Sequence, residues 1–394
     1  MRGSGWWGMD KVRDRDDRPV RHHQMLHRLA NRAQDLLYLP GLERFWLRRL
    51  RGRVLCLLYH RVGQPDRFPF LTWGGSPVIT PDDLYRELAC LRDAGVRFLV
   101  FGDLLRGEFP GPDEVGVIVS FDDGFRDVYG AGLAILDRLD IKGTVFQTTA
   151  MIQGVGSLTA GPPLRRGGTC QAEQDQRKPA HLSAPSGGDE NLRLLWEHEL
   201  YWLAYHPETF AHLKGLATEM LAGCPTGLSS KGLVDWLRDN VSPPRIEALL
   251  ARVRNDLGTA ETAAETAAEL GVDLYPNVAD IQAAARRGHE IGSHGHRHYP
   301  RERITTSLFE VELQTSAAIL EAILGRRATC FSYPFNSFLP GDEAIAARYY
   351  NQVATVEGRP ITPGDDRLRL PRCTWPGQQP NALRRRRWLL TGRV

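Results

Sequence analysis

The sequence is poor in long apolar runs. No stretch of its 394 residues approaches the roughly eighteen uncharged apolar residues that a membrane-spanning helix needs. It also lacks any CxxC pair. The six cysteines, at 56, 90, 170, 224, 330 and 373, are scattered, and the expectation is six free thiols, with Cys56 and Cys330 acting as small hydrophobes inside apolar runs. A secretory leader is not evident. Arg13, Asp14, Arg15, Asp16, Asp17 and Arg18 precede any apolar run, and no apolar core with a small-residue cleavage site follows. The expected location is therefore the cytoplasm or the inner face of the membrane.

Net charge is small as well, at +3, but it is unevenly spread. Residues 1–53 hold thirteen Lys/Arg against six Asp/Glu, and the tail from Arg384 to Arg393 adds five arginines and no acid. The middle of the chain is correspondingly acidic. Two basic ends suit peripheral contact with an anionic membrane or with nucleic acid, and they suit a pair of solvated ends equally well. No recognised nucleic-acid motif accompanies them, so no specific nucleic-acid partner is expected.

What is present is a regular alternation. Val54 to Tyr59 is a continuous apolar run, as expected of a strand covered on both faces. Thr80-Pro81-Asp82-Asp83 then opens a helix with a capping residue, a proline and two acids in favourable places. Its buried stripe is Leu84, Leu88 and Leu91, and Gly95 stops it. Arg97–Val100, Val117–Phe121 and Thr144–Phe146 read as further strands. After residue 278 the pattern resumes with His289–Ser293, Cys330–Tyr333 and Gln352–Thr355 as strands. Ser307-x-x-Glu310 reads as a capping box before a helix that Gly325 ends. About seven such units predict an α/β fold, a (β/α)7-type barrel with active residues at the strand C-termini.

The expected organisation is a basic, partly disordered segment over 1–53 with short amphipathic helices, a barrel over 54–376, and a basic tail over 377–394. An insertion at about 151–278 interrupts the barrel. Within it, Gly167 to Asn191 is rich in Gly, Gln, Pro and Ser and reads as a disordered loop. Leu192 to Tyr205 and Glu247 to Leu257 read as amphipathic helices, and Thr259 to Leu270 favours helix by its alanine and glutamate.

Three segments at strand ends carry chemistry. Ser120-Phe121-Asp122-Asp123-Gly124 places two carboxylates side by side. Buried together they repel unless a cation or proton intervenes; at the surface they are an ordinary turn. Gly288 to His298 holds four of the twelve histidines, and neutral imidazoles two or four residues apart are good ligands for zinc-like ions. His294 and His298 can face one ion across a helical turn, or His294 and His296 from an extended segment. Phe331-Ser332-Tyr333-Pro334-Phe335-Asn336 runs from a strand into a proline-aromatic turn that offers N–H groups and a ring to a substrate.

Taken in order, IVSFDDGFRD, GHEIGSHGHRH and FSYPFN resemble the three motifs of the polysaccharide deacetylases, carbohydrate esterase family 4. LLYHRV at the start and RLPR near Arg369 extend the resemblance to residues 54–150 and 278–375. It implies a distorted (β/α) barrel that hydrolyses the N-acetyl group of an N-acetylated carbohydrate. Asp123, His294 and His298 would hold a divalent metal, with zinc the best fit and nickel, cobalt or iron compatible. Asp122 would be the general base, with Tyr333 and a backbone N–H near Phe335 at the substrate and oxyanion.

Two departures matter. No histidine follows His298, so the usual C-terminal source of the leaving-group proton is missing. Tyr59-His60 is similar to the segment used in the circularly permuted branch, which implies His60 as the general acid. Ser332 stands where an arginine often pairs with the catalytic aspartate, and Arg372 is the candidate replacement. Gly295 also replaces the usual Ser or Thr after the first histidine ligand. A deformylase acting on a related sugar and a catalytically silent carbohydrate-binding barrel are the competing readings; metal content and acetate release separate them.

Overall fold

The structure is a computed structural model, and it describes residues 43–154, 194–256, 270–271, 273–377 and 382–391. The expectations for the first 42 residues, for the 167–191 loop and for most of the Thr259–Leu270 repeat lie outside these residues. Among the described residues no helix is long and apolar enough to cross a membrane, and the five described cysteines are free.

Ten strands are described: β1 (Val54–Tyr59), β2 (Arg61–Val62), β3 (Val78–Ile79), β4 (Arg97–Leu99), β5 (Gly116–Phe121), β6 (Thr144–Gln147), β7 (Glu290–Ser293), β8 (Cys330–Ser332), β9 (Gln352–Val356) and β10 (Leu370–Thr374). All pairings between them are parallel. β1 pairs with β5 along its whole length and with β10 on its other side, so β1, β5, β6, β7, β8, β9 and β10 close into a seven-stranded barrel. β4 lies beside the first half of β5, where β6 does not reach. β2 and β3 form a separate two-stranded ribbon just beyond the end of β1.

Strand periodicity divides the buried residues into two clusters. Val54, Cys56, Ile118, Phe146, Cys330, Ala354 and Leu370 meet inside the barrel. Their neighbours Leu55, Leu57, Tyr59, Val117, Val119, Val145, Ile291, Phe331 and Val353 pack outward beneath the helices. These runs are apolar on both faces, which is why they read as unbroken hydrophobic stretches. The helix Pro81–Asp93 starts at Thr80, whose hydroxyl accepts from Asp83 N, as its sequence predicts. The helix Thr306–Leu324 begins two residues earlier than Ser307-x-x-Glu310 suggests. Its cap is Thr305, which accepts from Leu308 N, and Ser307 lies inside the first turn.

The insertion contributes four helices among its described residues: Trp196–Tyr205, Pro207–Met220, Ser230–Asn240 and Pro243–Asp256. They bury Leu200, Leu213, Leu216, Leu237, Leu249 and Val253 against one another. Gln153 N donates to Pro276 O where the chain leaves and re-enters the barrel.

The inside of the barrel is tight. A Cβ at Gly292 on β7 would stand 2.7 Å from Cys330 Sγ and 2.8 Å from the Phe146 ring. Gly292→Val should therefore overpack the interior and cost about 1–3 kcal/mol of stability, read as a lower midpoint in denaturant unfolding.

Candidate active site

On four strands the inward row ends in a polar side chain at one mouth of the barrel. On β5, Ile118 and Ser120 are followed by Asp122; on β7, Gly292 by His294; on β8, Cys330 by Ser332; on β10, Leu370 by Arg372. Main-chain bonds fix the rim. Asp122 N donates to Tyr59 O at 3.0 Å, His294 N to Gln147 O at 2.8 Å, and Thr148 N to Asp123 O at 3.0 Å. Asp123 would face outward by strand periodicity. Its φ of 69° turns the chain instead, and both carboxylates stay at the mouth. Gly124, at φ 79°, completes the turn where a Cβ would sit 2.1 Å from Gln147 Oε1.

The two aspartates have different surroundings. Arg372 reaches Asp122 with both ends of its guanidinium, Nη1 to Oδ1 at 2.6 Å and Nη2 to Oδ2 at 2.8 Å. Nη2 also donates to Ser332 Oγ at 2.5 Å, and the guanidinium lies over the Phe146 ring at 4.9 Å. Burial pushes the Asp122 carboxyl up, but Arg372, with His294 and His60, outweighs it and holds the group below the usual carboxylate range. Asp123 has no arginine. Burial raises it too, and His298 beside it brings it down well below its ordinary value.

Asp123, His294 and His298 each present one donor atom, all within 4.8 Å of one another and all buried. His298 Nε2 lies 3.2 Å from Asp123 Oδ1, and His294 Nε2 lies 3.6 Å from it and 3.8 Å from Asp122 Oδ2. The remaining ring nitrogens have different neighbours behind the site. His294 Nδ1–H donates to the Ser332 carbonyl at 2.8 Å, and His298 Nδ1 lies 2.9 Å from Glu197 Oε1. Burial lowers His294 to about 4. Burial acts on His298 in the same sense, but Glu197 and Asp123 overcome it and raise the ring to about 10. One carboxylate and two imidazoles, one of them fixed through its outer nitrogen, make a donor set that fits a divalent metal such as zinc.

The other expected residues fall out as follows. His60 ends β1 beside these groups, close enough for its charge to help lower both Asp122 and Asp123. It is half-buried, and its buried Nδ1 has no partner among the described residues. Phe335 covers His298, ring centroids 4.5 Å apart, and is 39% exposed at the mouth. His296 is not part of the cluster, because its Nδ1 lies 3.0 Å from Thr149 Oγ1. His289 belongs to the opposite end of the barrel, where its Nδ1 accepts from Gly143 N. The expectation for Tyr333 needs correction. Ser332 takes the inward position, so the Tyr333 ring turns outward and packs against Phe309, Phe331 and Phe338. Its ring does not face the substrate side.

Residues 261–351, which include His294, His298 and the Tyr333-Pro334-Phe335 turn, match the family model described as polysaccharide deacetylase. Over this span the chain is similar to the polysaccharide deacetylase family. The matched span supports an enzyme of the sugar N-deacetylase type. Asp122, Asp123, His60 and Arg372 lie outside the matched span, and the barrel brings them to it. No curated protein matches the chain. Solved structures of similar shape include the Streptococcus pyogenes deacetylase PplD in complex with acetate, at 15% identity over 82% of this chain and 92% of that one, with a TM-score of 0.46. IcaB from Ammonifex degensii is similar at 15% identity over 86% of this chain and 98% of that one, TM-score 0.46. BC0361, a polysaccharide deacetylase from Bacillus cereus, is similar at 13% identity over 86% and 70%, TM-score 0.47.

Glu197 is the residue that sequence reasoning missed. The helix that carries it was legible as amphipathic, and an acid beside His198 among Leu, Trp and Tyr was the available signal. Nothing in the spacing tied a residue of the insertion to His298, 101 positions later.

The Arg372 contact yields a pH prediction. A base at Asp122 accepts a proton only when ionised, so with Asp122 in that expected role activity is lost as pH falls through its lowered pKa. In Arg372→Met the burial remains and the main opposing charge is gone, so the pKa rises. The acidic limb of the kcat/KM profile should move to higher pH by about one to three units.

Proposed function

We propose that this chain is a metal-dependent hydrolase that removes N-acetyl groups from an amino sugar or an N-acetylated polysaccharide in cell-envelope or exopolysaccharide metabolism. The observation that carries the reading is the pairing at one barrel mouth of a three-donor cluster with a separate, arginine-clamped carboxylate. Asp123, His294 and His298 would hold the ion; zinc suits one oxygen and two nitrogens best, and nickel, cobalt or iron are compatible. When bound, such an ion polarises the amide carbonyl and makes a neighbouring water more acidic.

The chain's own residues supply the proton transfers. Asp122, kept ionised and fixed by Arg372, takes the proton from the attacking water. His60, at the end of β1, stands on the neighbouring strand and gives a proton to the departing amine, the role of the Tyr-His segment in the permuted branch. Phe335 offers a ring beside His298 for the face of a sugar, and the main chain of the Tyr333-Pro334-Phe335 turn borders the position of the developing oxyanion.

Acetate release from a panel of N-acetylated glycans by the metal-reconstituted protein tests the reading directly; no release from any of them would count against it. His294→Ala and Asp123→Ala should lose both ion and activity, whereas His296→Ala should keep the ion, as measured by elemental analysis after dialysis. Asp122→Asn should retain metal while turnover falls by about two to four orders of magnitude. His60→Ala should likewise retain metal and lose amide hydrolysis. It should largely spare an aryl acetate, whose leaving group needs no proton. Equal loss on both substrates would remove His60 from the role of acid.

A further inference from the structure

We infer that Glu197, carried by the helical insertion, is a positioning residue of the metal centre that holds His298 with Nε2 turned towards Asp123. The inference rests on the metal-dependent reading of the site and adds to it a residue from outside the barrel.

An imidazole ligates through an unprotonated nitrogen and keeps its proton on the other. A partner that takes that proton fixes both tautomer and ring orientation. For His294 the partner is the Ser332 carbonyl, 2.8 Å from Nδ1, and the barrel supplies it. His298 has no strand carbonyl in that place. It lies beyond the end of β7, in a loop, with φ 57° in the left-handed region. The group 2.9 Å from its Nδ1 is the Glu197 carboxylate. His294 is thus held by an aligned hydrogen bond from the barrel, whereas at His298 the approaching group is a carboxylate from the insertion, at ion-pair distance but without the aligned N–H···O geometry that His294 has.

The surroundings of Glu197 support a built contact. The carboxylate is 5% exposed, and an acid in the first turn of a helix ordinarily gains its stabilisation at the surface. Burial without a partner is costly, and its close partners are His298 and, at 3.5 Å, His198 Nε2. His198 is itself fixed, with its Nδ1 2.8 Å from Tyr275 Oη and its ring stacked on Phe125 at 5.2 Å. The Tyr275 hydroxyl also accepts from Leu195 N. On the other side, Trp196 Nε1 donates to Arg297 O at 3.0 Å, one residue before His298. The start of the helix is therefore tied to the main chain beside His298, and Glu197 projects from between these anchors.

The test uses the full-length chain freed of metal and titrated with zinc against a chromophoric chelator. Glu197→Gln keeps the volume and an acceptor oxygen but removes the charge; Glu197→Asp keeps the charge and shortens the reach. Zinc affinity should fall about 10- to 100-fold in Gln and Ala variants and recover in part in Asp. The metal-free thermal midpoint checks that each variant is folded. In zinc-loaded wild type the His298 Nδ1 proton should give a slowly exchanging downfield NMR signal, lost in Glu197→Ala. Should Ala fail to fold, Gln and Asp decide. A Gln variant with wild-type zinc affinity and an unchanged His298 signal would overturn the positioning role. Wild-type protein that takes up no more zinc than His294→Ala would overturn the metal reading itself, a result distinct from the first.

Discussion

The buried ion pair between Arg372 and Asp122 is the contact on which the rest of the site depends. Taking a guanidinium and a carboxylate out of water costs several kcal/mol per ion, and only close, multiply bonded geometry offsets it. Here the geometry is bidentate, Ser332 accepts a further bond, and Phe146 supports the guanidinium from inside the barrel. Because Asp122 spends both oxygens on Arg372, it is poorly placed to be a metal donor. The neighbouring Asp123, with no arginine at ion-pair distance among the described residues, is left to the cluster with His294 and His298. One guanidinium thus gives two adjacent and chemically identical side chains different surroundings, which is what the two proposed roles require.

The division also needs an unusual backbone. Five described non-glycine residues have positive φ, and four of them, Asp123, His298, Phe335 and Asn336, are at this mouth. Such conformations cost of order 1–3 kcal/mol each and persist where the surroundings over-determine them. The over-determination is visible: Thr148 N on Asp123 O, Glu197 beside His298, and the Asn336 side chain bonded both ways to the Val356 main chain. Strand periodicity delivers Asp122, His294, Ser332 and Arg372 inward, and these turns bring in the residues that periodicity alone would point away.

Much of this was legible in the sequence. The apolar runs over Val54–Tyr59 and Gly116–Phe121 are strands, and the barrel follows from their repetition between helices. Asp122, Asp123, His294 and His298 stood out because two adjacent acids and a histidine cluster at strand ends are difficult to bury without a cation. What was not legible depends on long-range packing. The replacement of a missing arginine by Arg372 requires that β10 close the ring beside β1, which only the register of the barrel determines. Tyr333 was assigned to the substrate from its place in a motif, although the inward position of Ser332 implies an outward ring. The helix cap was placed at Ser307 because Glu310 lies three residues on, whereas Thr305 is the residue that meets a free N–H. Glu197 had only a weak local signal, an acid beside His198 in an apolar helix, and nothing that tied it to His298.

The charges around the cluster explain why a divalent ion suits it better than protons do. Asp122, Asp123 and Glu197 contribute three buried carboxylates, and among the described residues Arg372 is the one guanidinium at ion-pair distance from any of them. Arg61, also buried, has its own partner in Asp127. Two negative charges are left over in a region of low dielectric, where an uncompensated charge is costly. A proton on His298 neutralises only one of them, and in doing so it occupies the nitrogen that faces Asp123. A divalent cation neutralises both and leaves both imidazoles in the neutral form that ligates. Glu197 therefore acts in two ways. It orients His298 from behind, and it supplies the second negative charge that makes the mouth complementary to a 2+ ion rather than to a single proton. Without the insertion the barrel would keep its three donors but lose that excess charge, so the insertion belongs electrostatically to the site it packs against.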